Sequence, residues 1–274
     1  MFIVLILLLA TSLHAQDNLF QKELYGKAVA EYEKGELKKA LRYFNEYIDL
    51  GGNESDAYFY RGQTRQYLED YRGAVADFDK LIELDEADEQ VLYLKANALF
   101  EMNFFNEALK SVNNAINLDS TYSDARFLRA TIFYVQDHCP LAEKDLYWLL
   151  KNDVELSALA FYYLGKCARE SENYSAAKDF FIMIVELDPE NSEIWYELGY
   201  VQVDLEEYKN AISSFDRALE LDSNFAKCYH ERGLAQYFLR NTNKACSDWQ
   251  KAKDLGSDLA AEKIEEYCGA DEDE

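Results

Sequence analysis

From residue 21 onward, small and apolar residues recur at steps of three and four, the spacing that gathers side chains on one face of an α-helix. Trp195, Leu198, Gly199 and Gln202 form one such set. The pattern itself repeats. Ala40, Ala74, Ala108, Ala142, Ala177, Ala211 and Ala245 are spaced by 34, 34, 34, 35, 34 and 34 residues. A bulky apolar residue follows each Ala four positions later: Phe44, Phe78, Val112, Leu146, Phe181, Phe215 and Trp249. A small residue precedes each by twelve: Ala28, Gly62, Ala96, Ala130, Gly165, Gly199 and Gly233. Turn-forming runs split the period in two, as at Lys34-Gly35-Glu36, Glu69-Asp70 and Ser171-Glu172-Asn173. Pro140 suits the first turn of a helix, and Pro189 stops one. Each period therefore predicts two helices, A then B, brought close by the small residue. One hairpin cannot bury its own apolar faces, so the periods must stack on neighbours and the last must be capped.

The sixth period reads Trp195-x2-Leu198-Gly199, then Ala211-x3-Phe215. The fifth reads Phe161-x2-Leu164-Gly165, then Ala177-x3-Phe181, then Pro189. The second and seventh carry Tyr58-x2-Arg61-Gly62 and Tyr229-x2-Arg232-Gly233. This resembles the tetratricopeptide repeat, whose pattern is W-x2-L-G-x2-Y, A-x3-F, P. The first, third and fourth periods depart from it, with Leu24, Leu92 and Arg126 at the first aromatic position and Ala for Gly. The resemblance implies an all-α fold: a right-handed α-solenoid of about seven helical hairpins, with A helices lining a concave surface and B helices a convex one. The expected repeats are 21–54, 55–88, 89–122, 123–157, 158–191, 192–225 and 226–256. A capping helix is expected over 257–268, then an acidic tail over 269–274.

The N-terminus breaks the pattern. Phe2 to Ala10 is an unbroken apolar run. It has about half the roughly 20 residues that span a bilayer. Ala15 precedes Gln16-Asp17, so residues 1–15 predict a signal peptide and 16–20 a short linker. The mature chain is expected to be exported, to a periplasm or cell surface, with no membrane span.

Composition narrows the partners. Of 274 residues, 28 are Lys or Arg and 52 Asp or Glu, a net charge of −24. That excludes a general nucleic-acid binder, which needs basic surface for phosphates. With 2 Pro and 11 Gly the chain has too few turn residues for an all-β fold. Its 49% hydrophobic and 15% aromatic content excludes a disordered acidic chain.

Two columns of the repeat vary together. Position 7 is Arg in periods two, four and seven (Arg61, Arg129, Arg232), and position 23 is Asp in those periods alone (Asp77, Asp145, Asp248). This predicts Arg–Asp pairs joining the A and B helices of one hairpin. In the repeat family, positions 5, 9 and 12 of helix A face the concave groove. Position 5 carries Tyr25, Phe59, Tyr93, Phe127, Tyr162, Tyr196 and His230. Positions 9 and 12 add Gln63, Asn97, Lys166 and Tyr200, and Tyr134, Arg169 and Tyr237. Steps of four and three keep these on one stripe. It is expected to form a peptide-binding channel of rings, with the polar groups fixing register. The alternative is that the rings only pack against the next A helix. Chaperone-binding relatives hold a carboxylate with Lys and Asn; here Tyr25, Val29, Tyr60, Gln90 and Leu94 stand at those positions, so that mode is not expected.

No Gly-rich phosphate loop or G-x-S-x-G occurs, and outside the leader only His138 and His230 are present, too few for a standard zinc site. No enzyme activity, metal or cofactor is expected. Five Cys occur, at 139, 167, 228, 246 and 268. Export permits disulfides and an odd count leaves one thiol. Cys246, early in the last B helix, and Cys268, ending an antiparallel cap, are expected at matching levels and so to pair. The function expected is a non-catalytic scaffold that binds a peptide segment of a partner protein in its groove. The alternative is a structural subunit of an envelope or surface complex that uses its convex face or flanks.

Overall fold

The computed structural model describes residues 19–52 and 54–269. The predicted signal peptide, residues 16–18 of the linker and 270–274 of the tail lie outside the described residues. The described residues form helices and no strand. They run α1 (19–33), α2 (Leu37–Asp49), α3 (Ser55–Tyr67), α4 (Tyr71–Glu83), α5 (Glu89–Glu101), α6 (Phe105–Leu118) and α7 (Ser123–Val135). They continue α8 (Cys139–Asn152), α9 (Ser157–Glu170), α10 (Tyr174–Leu187), α11 (Ser192–Asp204), α12 (Tyr208–Leu221), α13 (Ala226–Phe238), α14 (Thr242–Asp254) and α15 (Asp258–Tyr267). The chain falls into two compact units divided within α7: unit 1 ends at Ile132 and unit 2 begins at Phe133. This is an all-α, hairpin-repeat fold of the α-solenoid class.

In unit 1 each helix from α2 to α6 packs on the next, and α7 packs on α6 through Leu128 and Ile132 against Val112 and Ile116. In unit 2 the same holds from α8 through α15. The core sits between the helices of each hairpin. All seven period-marking alanines are fully buried, and so are Phe44, Phe78, Phe181, Phe215 and Trp249. Burying one such ring stabilises by about 1.5–3 kcal/mol. The small A-helix residues make the room: a Cβ on Gly199 would stand 2.7 Å from the Phe215 ring, and one on Gly165 2.9 Å from Phe181. Such overpacking costs about 1–3 kcal/mol.

Every A-to-B turn uses one left-handed residue, Gly35 first and then Glu69, Asn103, Asp137, Glu172, Glu206 and Arg240, with φ of 58–63° in the six that are not Gly. An L residue there carries roughly 1–2 kcal/mol of strain. Helix starts are tied by side chains: Asp70, Asp88, Asn173, Asn191 and Ser257 accept backbone N–H groups of the first turn. Pro140 lies in the first turn of α8 and Pro189 just beyond α10, where its carbonyl accepts the Trp195 indole at 2.9 Å.

Candidate binding face and the ion pairs behind it

The A helices of unit 1 are α1, α3, α5 and α7, and those of unit 2 are α9, α11 and α13. Tyr25, Phe59, Tyr93, Asn97, Phe127, Tyr134, Tyr162, Lys166, Arg169, Tyr196, Tyr200 and Tyr237 are all half-buried, neither sealed nor free. The position-5 rings lean back on their own hairpins. Tyr25 packs on Phe44 and Tyr47, Tyr162 on Phe181, and Tyr196 on Phe215 and Phe225. Burial, with nearby Asp56, pushes the Tyr25 phenol up to about 12; burial, with Glu197, does the same at Tyr162. These phenols remain neutral donors at any ordinary pH.

Residues at positions 9 and 12 reach across to the next A helix in a ladder, with a step of 31 residues in three hydrogen-bonded rungs and of 35 at Arg169–Asp204. In unit 1 its rungs are neutral. Tyr32 Oη donates to Gln63 Oε1 at 2.8 Å, and Gln66 Nε2 donates to Asn97 Oδ1 at 2.7 Å and to the Leu94 carbonyl at 3.3 Å. An open pocket of about 230 Å³ lies beside the second rung, lined by Gln63, Gln66, Tyr67, Tyr71, Leu94, Asn97 and Glu101. In unit 2 the rungs are charged. Lys166 Nζ donates to Glu197 Oε1 at 3.0 Å. Arg169 lies 3.8 Å over the Tyr200 ring, and its Nε donates to Asp204 Oδ2 at 2.8 Å. Tyr134 packs on Tyr163, with ring centroids 5.2 Å apart. Tyr237 packs on Trp249 and on Tyr267 of α15, and His230 is half-buried with its basicity lowered by burial and by Lys263.

Behind this face stand the Arg–Asp pairs. Arg61 reaches Asp77 through Nη2 at 2.6 Å and Nε at 3.0 Å, and Arg65 Nη1 reaches the same carboxylate at 2.7 Å. Asp77 is 2% exposed. Arg232 holds Asp248 through Nη2 at 2.6 Å and Nε at 2.9 Å. Arg129 lies in unit 1, donating to Asn113 at 2.7 Å, and Asp145 is buried in unit 2. Each Arg also reaches back 16 residues to the preceding B helix: Arg61 to Asn45, Arg129 to Asn113 and Arg232 to Asp216. Lys95 does the same to Asp79 at 2.5 Å. Sequence reasoning about single hairpins missed this second column. Its signal was present, because the residues 16 before Leu164 and Leu198 are Trp148 and Ile182.

Cys246 and Cys268 form a disulfide that ties α14 to the end of α15. A second, Cys139–Cys167, joins the start of α8 to α9, and buried Cys228 is a free thiol. Spacing offered no guide to the second bridge. Among the described residues, no helix is long and apolar enough to cross a membrane, and no three His, Cys, Asp or Glu side chains are grouped to hold a metal ion.

Within each unit, A helices linked to one another and packed on B helices define a helical-hairpin repeat fold. Three segments match the tetratricopeptide repeat family, at residues 55–88, 159–191 and 192–225, and the chain is a tetratricopeptide repeat protein. It is 38% identical over 63 residues to tetratricopeptide repeat protein 36 of Danio rerio, a match covering 23% of this chain. The chain spans about a third of that relative's length, 34%. Its fold is similar to that of a tetratricopeptide repeat protein from Cytophaga hutchinsonii, solved as a C-terminal part (TM-score 0.71, 17% identity, 88% of this chain and 99% of that one). It is also similar to one from Parabacteroides merdae (TM-score 0.67, 16% identity, 89% and 97%). A third is YrrB, described as having an unusual peptide-binding site (TM-score 0.59, 24% identity, 69% and 97%).

Proposed function

We propose that this protein is a non-catalytic scaffold that binds a peptide segment of a partner along its A-helix face. The ladder carries the reading. Half-buried rings and polar groups at positions 5, 9 and 12 are held by contacts between successive helices, so a ligand meets a surface already ordered. The rings supply rigid contact area and the amides and charges supply register. The peptide-binding site described for YrrB supports the same use of this fold. The test is selection of random 12-residue peptides on the intact protein, followed by hydrogen exchange of the complex. Protection of α3, α5, α9, α11 and α13 is the expected result. Protection confined to B helices or to the flanks would favour a structural subunit instead.

Export is part of the proposal. The apolar run from Phe2 to Ala10 and two disulfides both fit an oxidising compartment outside the cytoplasm. N-terminal sequencing of the mature protein is expected to begin at Gln16; a start at Met1 refutes cleavage.

A further inference from the structure

Four basic side chains on or beside the A helices of unit 2 are committed, and Lys227, one turn before Glu231 on α13, is exposed and forms no bond with it. Lys166 is held by Glu197 at 3.0 Å and Arg169 by Asp204 at 2.8 Å. Arg232 is held by Asp248 and Asp216, both at 2.6 Å, and Lys263 by Glu266 at 3.0 Å. Half-buried Glu231 on α13 has none of them: among the described residues, no side chain hydrogen-bonds or ion-pairs with it. The ladder explains the vacancy. A step of 31 residues brings Lys166 to Glu197, and the residue one such step before Glu231 is Tyr200. That position offers a ring already lying under Arg169 and no positive charge.

The charges that reach Glu231 come from Arg169 on α9 and Asp204 on α11, which are bonded to each other and oppose one another. Its neighbour His230 has its basicity lowered by burial and by Lys263. Burial first, and then the Glu231 carboxylate, raise the Tyr196 phenol of α11. Burial, only partly countered by Arg169, raises the Glu231 carboxyl to about 7. A desolvated carboxylate without a counter-charge is unfavourable, and a cation arriving from outside relieves it.

We propose that Glu231 anchors a positively charged side chain, Lys or Arg, of the peptide bound on the A-helix face, beside Tyr196. This rests on the peptide-binding reading above and names the class of segment recognised. The overall charge of −24 favours a basic partner in the same sense, by steering its approach.

The experiment compares peptides selected on the intact, disulfide-bonded protein with their behaviour on E231Q and E231K, each shown by circular dichroism to keep the wild-type helix content. The selected peptides are expected to share a Lys or Arg. E231Q should weaken them at least tenfold. Changing that basic residue to Glu should abolish binding to the wild type and restore it on E231K. Peptides that protect the A helices but show no basic preference, or that lose less than twofold on E231Q, overturn the role of Glu231 and leave the peptide-binding reading standing. If no selected peptide protects the A helices, both readings fall.

Discussion

The two units build their A-helix faces from different chemistry. In unit 1 the rungs between A helices are amides and a phenol, Tyr32–Gln63 and Gln66–Asn97. In unit 2 they are ions, Lys166–Glu197 and Arg169–Asp204. The same shift runs behind the face, where Arg61 and Arg129 reach back to Asn45 and Asn113 but Arg232 reaches back to Asp216. Amide rungs are insensitive to salt and pH and suit recognition of backbone and neutral groups. Charged rungs can be screened and retuned, and they leave residues such as Glu231 open to a ligand of opposite sign.

The sharpest way to break the comparison is at the buried aspartates. Asp77→Ala takes the shared carboxylate from two arginines at once, leaving Arg61 only the Asn45 amide and Arg65 the Gly73 carbonyl and a 3.5 Å contact with Asp70, and is expected to destabilise unit 1 by about 3–5 kcal/mol. Asp248→Ala leaves Arg232 its bond to Asp216 and is expected to lose about half as much. Urea unfolding followed by hydrogen exchange in α3–α4 and α13–α14 measures both; equal losses would show that the second partner does nothing. The cap lies between these two. Replacing Cys246 and Cys268 with Ser should lose about 3 kcal/mol, seen first as faster exchange in α15.

Salt then separates the two ladders. Gln66→Leu should lose about 1 kcal/mol at low and high ionic strength alike. Lys166→Met should lose roughly 0.5–1 kcal/mol at low salt and little at 1 M, because its ion pair is partly solvent-exposed and screened. Thermal melts across a salt series decide; equal salt dependence would erase the contrast. An effect of similar size, present only at high pH, is expected at Glu231. Its folded carboxyl titrates at about 7, above the ordinary carboxylate value of 4.5, so the folded state holds the proton more tightly. Its stabilising contribution is present below about 4.5 and lost as pH rises through about 7. Glu231→Gln should therefore raise the melting temperature at pH 8 by an amount on the order of 1 kcal/mol in stability, and leave it unchanged at pH 4. A gain that is the same at both pH values would place its cause outside this titration.

Much of the fold was legible because a repeat states its own packing rule seven times. Ala40 and its successors, the small residues opposite Phe78 or Phe215, and the turn runs all announce helices that pack in pairs. The co-varying Arg61 and Asp77 were legible for the same reason, and in the structure they meet at 2.6 Å. The ladder was not. Positions 5, 9 and 12 mark a shared stripe, yet nothing in a list of residues says that Lys166 will be occupied by Glu197 or that Arg169 will cover Tyr200. The position-5 rings likewise read as a row along a channel, whereas Tyr162 and Tyr196 also pack on the B helices of their own hairpins.

By itself the sequence determined the helices, their pairing and which residues fill each hairpin, since helical periodicity and the need to bury apolar faces act over a few dozen residues. Tertiary structure decided which side chains meet across neighbouring hairpins: Arg232 meets Asp216, Cys139 meets Cys167, and among the described residues no side chain hydrogen-bonds or ion-pairs with Glu231. Those outcomes depend on the offset between neighbouring hairpins, and a shift of one helical turn would hand each charge a different partner.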